Sequence, residues 1–240
     1  MKTVIKKSVG LIIASSLIIS GTVTGNIKFD GKTKKKSIRT DAECGNIANK
    51  KGVKHLDEKL VVNDGNFQNV LVWIDYKGPK KDIPKDKVVI DQLGCVYSPH
   101  VFGIQMGQEL LIKNSDPVLH NVHSKSKSNP EFNFAMPSVV KEKTHKFKKT
   151  EDPFYIKCDV HAWMKSWVGV FDHPYFAVTD SKGNYKIENV PEGSYEVVAW
   201  QEKFGMKRVK KQKISVSDGF DGNHLTKANF KFSPPKRKKK

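Results

Sequence analysis

The sequence predicts an all-β protein. Short runs rich in Val, Ile, Phe, Tyr and Trp recur along its 240 residues. Turn signals built on Gly, Pro, Asn and Asp separate them at short intervals, and no apolar period of 3.6 residues is sustained. With 38% hydrophobic and 28% charged residues the chain can bury a core, so disorder throughout is excluded.

The elements follow in order. Lys2, Lys6 and Lys7 precede an apolar run, Val9 to Ile19, and small residues follow at Ser20 and Gly21. That run is short of the roughly 20 residues a membrane span needs, so residues 1–20 read as an export signal. An uncleaved anchor is the alternative. Export places the chain in the periplasm or cell envelope. Thr22 to Phe29 is a strand closed by Asp30-Gly31, and a Lys-rich loop follows. Leu60 to Val62 leads into the turn Asn63-Asp64-Gly65. Asn69 to Tyr76 is a buried strand, and Gly78 to Lys87 is a connector. Further strands are expected at Val88 to Ile90, Val101 to Ile104, Glu109 to Lys113 and His120 to His123. Thr144 to Lys149, Phe154 to Cys158 and Trp167 to Phe171 complete that series. Helix is expected to be scarce, with room for one turn at Ser138 to Lys143. After Pro174, strands at Phe176 to Thr179, Tyr185 to Ile187 and Tyr195 to Trp200 alternate with turns at Asp180 to Gly183 and Pro191 to Gly193. Many short strands at this spacing indicate sandwiches.

The formal charge is +18, yet only Arg39, Arg208 and Arg237 among the 43 basic residues are Arg. Bidentate reading of bases or phosphate favours Arg, so nucleic acid is not an expected partner. A Lys-rich surface still steers acidic partners or anionic membrane surfaces. The stretch 233–240 reads as a disordered basic tail. The sequence leaves the oligomeric state open.

Three Cys are present, an odd number. In an oxidising compartment that means one disulfide and one thiol with another job. Cys158 stands beside His161 and Met164, so Cys44 and Cys95 are left to pair. Cys158, His161 and Met164 put a thiolate, an imidazole and a thioether within seven residues. Soft donors of this kind suit copper in both oxidation states, and a second His would complete a His₂Cys plane with a weak axial Met. Zinc accepts Cys and His but has little use for the thioether. The second His comes from His120-Asn-Val-His123. On a strand the two rings point to opposite faces, so only one is a ligand. Singly, each of these residues is ordinary packing; their joint spacing is the signal. Met136 is a distant substitute for Met164. His100, His145 and His173 read as structural, surface or turn residues.

The pair of motifs His120-Asn-Val-His123 and Cys158-Asp-Val-His-Ala-Trp-Met164 resembles the cupredoxin (blue type 1 copper) family, and its amicyanin branch most. The resemblance covers about residues 86–172 and implies a Greek-key sandwich. It makes His120 the ligand of the pair, and it gives Asn121 the task of tying the two ligand loops together. Ala162 stands where that branch often has Pro, and Trp163 is bulky beside the metal. The implied function is one-electron transfer by one type 1 copper ion. Electrons would leave through His161 and a patch of Ala162 and Trp163, toward an acidic redox protein such as a cytochrome or an oxidoreductase. The alternative is a non-redox copper carrier or a cell-envelope β-sandwich binding protein. Nothing resembles a hydrolase triad or a nucleotide fingerprint, so an enzyme is not expected.

A second resemblance covers Tyr175 to Phe204. The series Thr179-Asp180, Gly183, Tyr185, Ile187, Val190-Pro191, Gly193 and Tyr195 resembles the carboxypeptidase regulatory-like family of prealbumin-like sandwiches. That family opens on strands that look like Gly21-Thr-Val-Thr-Gly25 and Val70 to Trp73. The resemblance implies that residues 21–85 and 173–232 form one split, smaller sandwich holding the copper domain of 86–172 as an insert. A tandem order is the alternative.

Overall fold

The computed structural model describes residues 20–34, 36–217 and 225–234. Residues 1–19 of the expected signal and 235–240 of the expected tail lie outside the described residues. In chain order the strands are β1 (Ser20–Phe29), β2 (Val62–Asn63), β3 (Asn66–Phe67), β4 (Leu71–Ile74), β5 (Val88–Gln92), β6 (Tyr97–Ser98) and β7 (Val101–Gln105). Next come β8 (Leu110–Asn114), β9 (His120–Ser124), β10 (Asn133–Met136), β11 (Glu142–His145), β12 (Glu151–Lys157) and β13 (Lys165–Phe171). The last are β14 (Phe176–Val178), β15 (Asn184–Pro191), β16 (Gly193–Trp200), β17 (Lys210–Val216), β18 (Leu225–Lys227) and β19 (Phe230–Phe232). The protein is all-β, as its patterning predicts.

Four sheets make two sandwiches. In one, the sheet β15-β1-β3-β2, with β18 and β19 parallel along β1, faces the sheet β14-β4-β16-β17. Strands before residue 80 thus pair with strands after residue 173. Val23 stands opposite Ile187, and Val72 lies between Ala177 and Ala199. In the other, β10-β9-β12-β13-β7 faces β11-β8-β5-β6. Its core includes Ile90, Ile112, Val122, Ile156 and Val168.

The strand read as buried, β4, serves two cores. Val72 and Ile74 enter the first sandwich, while Leu71 and Trp73 join Val101, Phe171, Val198 and Trp200 between the sandwiches. A strand covered on both faces loses the polar alternation of an exposed one, which is why Leu-Val-Trp-Ile is apolar throughout.

The motif after Pro174 gains a physical reading. The Thr179 hydroxyl donates to the Phe67 carbonyl (2.7 Å) and accepts from the Val70 N–H (3.0 Å). Asp180 Oδ1 accepts from the N–H groups of Lys182 and Asn184, both at 2.8 Å, and so shapes the turn. Gly183 has φ +72°, and a Cβ there would meet the Ile27 carbonyl at 2.5 Å. The motif fastens the C-terminal strands onto the N-terminal ones.

The structure departs from the sequence reading in several places, among them the unforeseen strands β6, β10, β18 and β19. A helix, α1 (Ala42–Lys51), stands within the expected Lys-rich loop. Asp41 caps it by accepting from the Cys44 N–H, and Gly52 ends it in the left-handed region at φ 67°. The one turn expected within 138–143 is a single hydrogen-bonded turn, Val140 N–H to the Pro137 carbonyl at 2.8 Å, and 142–145 continues as a strand paired with β8. A Lys-rich strand, β17, was not foreseen; its outward positions carry the Lys residues while Ile214 and Val216 point inward.

Replacing Thr179 by Val keeps the shape but strands the buried Val70 N–H. Urea denaturation of Thr179→Val is expected to show a loss of about 1–3 kcal/mol, with an unchanged slope.

Candidate metal centre

Alternation along β9 buries His120, Val122 and Ser124 and turns Asn121 and His123 outward. His120 is fully buried. His123 instead lies at the rim, paired with Glu131 and with Asp159 at 2.8 Å. The two rings therefore separate as a strand requires.

Cys158 follows β12, and its loop returns through His161 and Met164 into β13. The loop is closed by Cys158 N–H to the Met164 carbonyl (3.2 Å) and Met164 N–H to the His161 carbonyl (2.9 Å). His161 N–H also donates to the Cys158 sulfur at 3.3 Å. His161 Nδ1 lies 3.0 Å from His120 Nδ1 and 3.7 Å from Cys158 Sγ. Met164 is buried in the same apolar cluster as Cys158. Met136 is not free to substitute, since its sulfur accepts from Gln92 Nε2 at 3.3 Å.

The spacing suits one metal ion. Donors about 2.0 Å (N) and 2.3 Å (S) from an ion at tetrahedral angles stand roughly 3.3 Å (N to N) and 3.6 Å (N to S) apart. Two imidazole nitrogens facing each other at 3.0 Å, with a sulfur beside them, match that demand. The residues fit copper, and the soft sulfur set is the reason.

Asp116 orients the site, and sequence reasoning missed it. Its side chain is fully buried. Oδ1 accepts from Gly94 N–H and Oδ2 from Cys95 N–H, both at 2.7 Å, and Oδ2 also takes His120 Nε2 at 2.9 Å. Gly94 and Cys95 both have positive φ, 68° and 56°, which turns their N–H groups onto one carboxylate. A proton held on Nε2 leaves Nδ1 of His120 free to ligate. The only sequence signal was an Asp two residues after Asn114 in a turn.

Without a metal the charges gather a proton onto His120: burial works to lower its pKa, but Asp116 and Cys158 reverse that and raise it. Burial works against the Asp116 anion, yet the bonds from His120, Cys95 and Gly94 outweigh it and hold its pKa below the usual carboxylate range. For Cys158, burial pushes the thiol up. His120 and the N–H groups of His161, Asn121 and Val160 reverse that, so the thiolate is favoured. Burial and the nearby His120 lower the pKa of His161, which favours the neutral, ligating ring.

Asn121 Oδ1 accepts from the Asp159 N–H at 2.9 Å, a direct link between the His strand and the Cys loop. Cys44 and Cys95 form a disulfide across 51 residues, and it lies at the centre itself. Donor atoms of Cys44, Cys95 and His161 stand within 4.8 Å of one another, as do those of Cys95, Asp116 and His120. His161 is only 8% exposed. The expected open edge of this ring is therefore covered, with Ala162 exposed and Trp163 half-buried beside it. Trp163 Nε1 donates to the Cys95 carbonyl at 2.9 Å.

His100, His145 and His173 are not among the grouped donors. His100 Nε2 meets buried Glu202 at 2.5 Å, and its Nδ1 lies 3.2 Å from the Lys165 carbonyl, next to Met164. His145 packs against Phe132 and Phe147. His173, read as a surface or turn residue, sits on a bend but is buried against Tyr76, Tyr175 and Phe171, and burial brings its pKa down to about 4.

Among known proteins, residues 153–223 match the family described as polysaccharide lyase family 4, domain II. That stretch runs from β12 to just past β17, and the family is not the carboxypeptidase regulatory-like one that the Thr179 to Tyr195 motif resembles. No curated protein matches. Similar solved structures include a copper-containing nitrite reductase from Thermus scotoductus, at 17% identity over 40% of this chain, TM-score 0.33. The match spans 25% of that enzyme's length. A purple cupredoxin from Nitrosopumilus maritimus matches at 23% identity over 35% of this chain and 98% of its own, TM-score 0.30. An amicyanin variant matches at 17% identity over 41% of this chain and 97% of its own, TM-score 0.32.

Asp116→Asn removes the anion that two N–H groups and His120 share. Copper(II) affinity, measured by competition with a chromophoric chelator, is expected to fall about 10–100-fold.

Proposed function

We propose that this chain is an exported type 1 copper-binding protein acting in one-electron transfer, in which His120, Cys158, His161 and Met164 would hold the ion. The convergence of two imidazole Nδ1 atoms and one cysteine sulfur in a buried pocket carries the reading. Copper held there supplies a one-electron couple. The protein's part is to keep the donors still. Asp116 holds the His120 proton on Nε2, and Asn121 joins the two ligand segments. The Tyr97 hydroxyl donates to the Asn121 carbonyl at 2.5 Å, bracing the same corner. A frame this fixed reorganises little when the charge changes.

The closed Cys44–Cys95 bridge and the apolar N-terminal run support a periplasmic or cell-envelope location. The charge of +18 supports an acidic redox partner, such as a cytochrome or oxidoreductase. Pairing of β1 with β15 and of β4 with β14 and β16 supports residues 86–172 as a copper domain inserted into a sandwich of 21–85 and 173–232. One observation favours the alternative of a non-redox carrier: His161 is covered rather than open at an edge.

Copper(II) added to the purified protein is expected to give intense visible absorption and a narrow copper hyperfine splitting in electron paramagnetic resonance. Cys158→Ser is expected to abolish the absorption. A colourless protein that binds copper(I) alone would establish the carrier.

A further inference from the structure

The Cys44–Cys95 disulfide has no place in the mononuclear site, yet it is built against it. Cys44 is 1% exposed, Cys95 0% and His161 8%. Their donor atoms lie within 4.8 Å of one another, and Cys95 also lies within that distance of Asp116 and His120 donors. A disulfide serving only as a staple could close anywhere between α1 and the strand before β6. This one places two sulfurs beside a third soft donor set, with His161 common to both.

We infer that the Cys44–Cys95 pair is a second, redox-gated copper(I) site. In the oxidised protein the two sulfurs are bonded to each other and are poor ligands. A dithiol donor delivers two electrons and two protons to the S–S bond and closes its own disulfide in the exchange. The bond breaks and two thiols form. Each then releases its proton as copper(I) binds, giving two thiolates and one imidazole, a donor set that selects copper(I). The ring has two distinct nitrogens, and Nδ1 already faces His120 and Cys158. One imidazole serves both ions only as an imidazolate, so with both bound a third proton leaves the His161 ring for solvent, beside the two from the thiols. The chain's copper capacity would follow the thiol redox state: one ion when the bridge is closed, two when it is open. The inference rests on the mononuclear reading only in sharing His161.

The test is a count of copper per chain after anaerobic copper(I) loading and removal of excess by a competing chelator. It is made on oxidised protein and on protein treated with a phosphine reductant until three thiols titrate. The expected counts are one and two. Bound copper(I) is also expected to slow iodoacetamide labelling of Cys44 and Cys95 at least tenfold, in wild type and in Cys158→Ser alike. The double variant Cys44→Ser, Cys95→Ser is expected to bind one ion under both conditions. A count in the reduced wild type no higher than in the oxidised protein overturns the inference. So does unslowed labelling, or a bridge that no dithiol or phosphine opens while the chain stays folded. Protection of Cys44 and Cys95 in a protein that never shows the visible absorption would reject the mononuclear reading and leave this one standing.

Discussion

The sandwich that carries the candidate centre is organised around a carboxylate that has no access to water. Asp116 is fully buried, and a buried anion is tolerated only when donors surround it. Three do: Gly94 N–H, Cys95 N–H and His120 Nε2. To deliver the first two, residues 94 and 95 both take positive φ, a conformation that a Cys adopts only under constraint. To accept the third, the His120 ring must turn its Nδ1 toward His161. The ligand tautomer, the strained turn and the position of the Cys95 sulfur are thus one solution to one electrostatic problem.

A second buried carboxylate does comparable work between the sandwiches. Glu202 accepts from Trp167 Nε1 at 2.7 Å and pairs with His100 at 2.5 Å. Trp167 belongs to β13, which leaves the metal loop, and Glu202 follows β16 of the other sandwich. Around them Trp73, Phe171 and Trp200 fill the interface. The metal loop therefore stands on a base packed like a core, because β13 shares one face with its own sandwich and the other with its neighbour. Burial alone would strip the proton from His100, but Glu202 and Glu58 reverse that and raise its pKa. The contact is an ion pair while His100 is protonated, and it weakens as pH rises through the raised value.

How much of this was legible follows from what leaves a local trace. Period-2 patterning separated His120 from His123, because a strand enforces it. Spacing gathered Cys158, His161 and Met164, because a short loop enforces it. Counting cysteines reached the Cys44–Cys95 bridge. Asp116 left no such trace: its partners are backbone groups 21 and 22 residues away, and backbone donors carry no sequence signature. The helix α1 could have been found, since Asp41 and Gly52 mark its ends, but its apolar stripe is only Cys44, Ile47 and Ala48 and the Lys-rich surroundings read as loop. His173 looked like a turn residue because its burial comes from Tyr76, a residue remote in sequence. Fold class is a sum of local periods, whereas the orientation of a site is set by contacts that only the folded chain creates.

The covered ring of His161 joins these strands of argument. A cap over a ligand must be held, and α1 alone is too short and too polar to dock firmly. The bridge to Cys95 holds it, and closing a loop of that length restricts the unfolded chain by about 4 kcal/mol. The Trp163 indole, 5.2 Å from the His161 ring and bonded to the Cys95 carbonyl, completes the cover. The same residue, Cys95, thereby supplies a backbone donor to Asp116, a carbonyl to Trp163 and a sulfur to Cys44. Opening the bridge frees only the last of these. The first two tie the Cys158 to Met164 loop and the frame that orients His120 to the same turn.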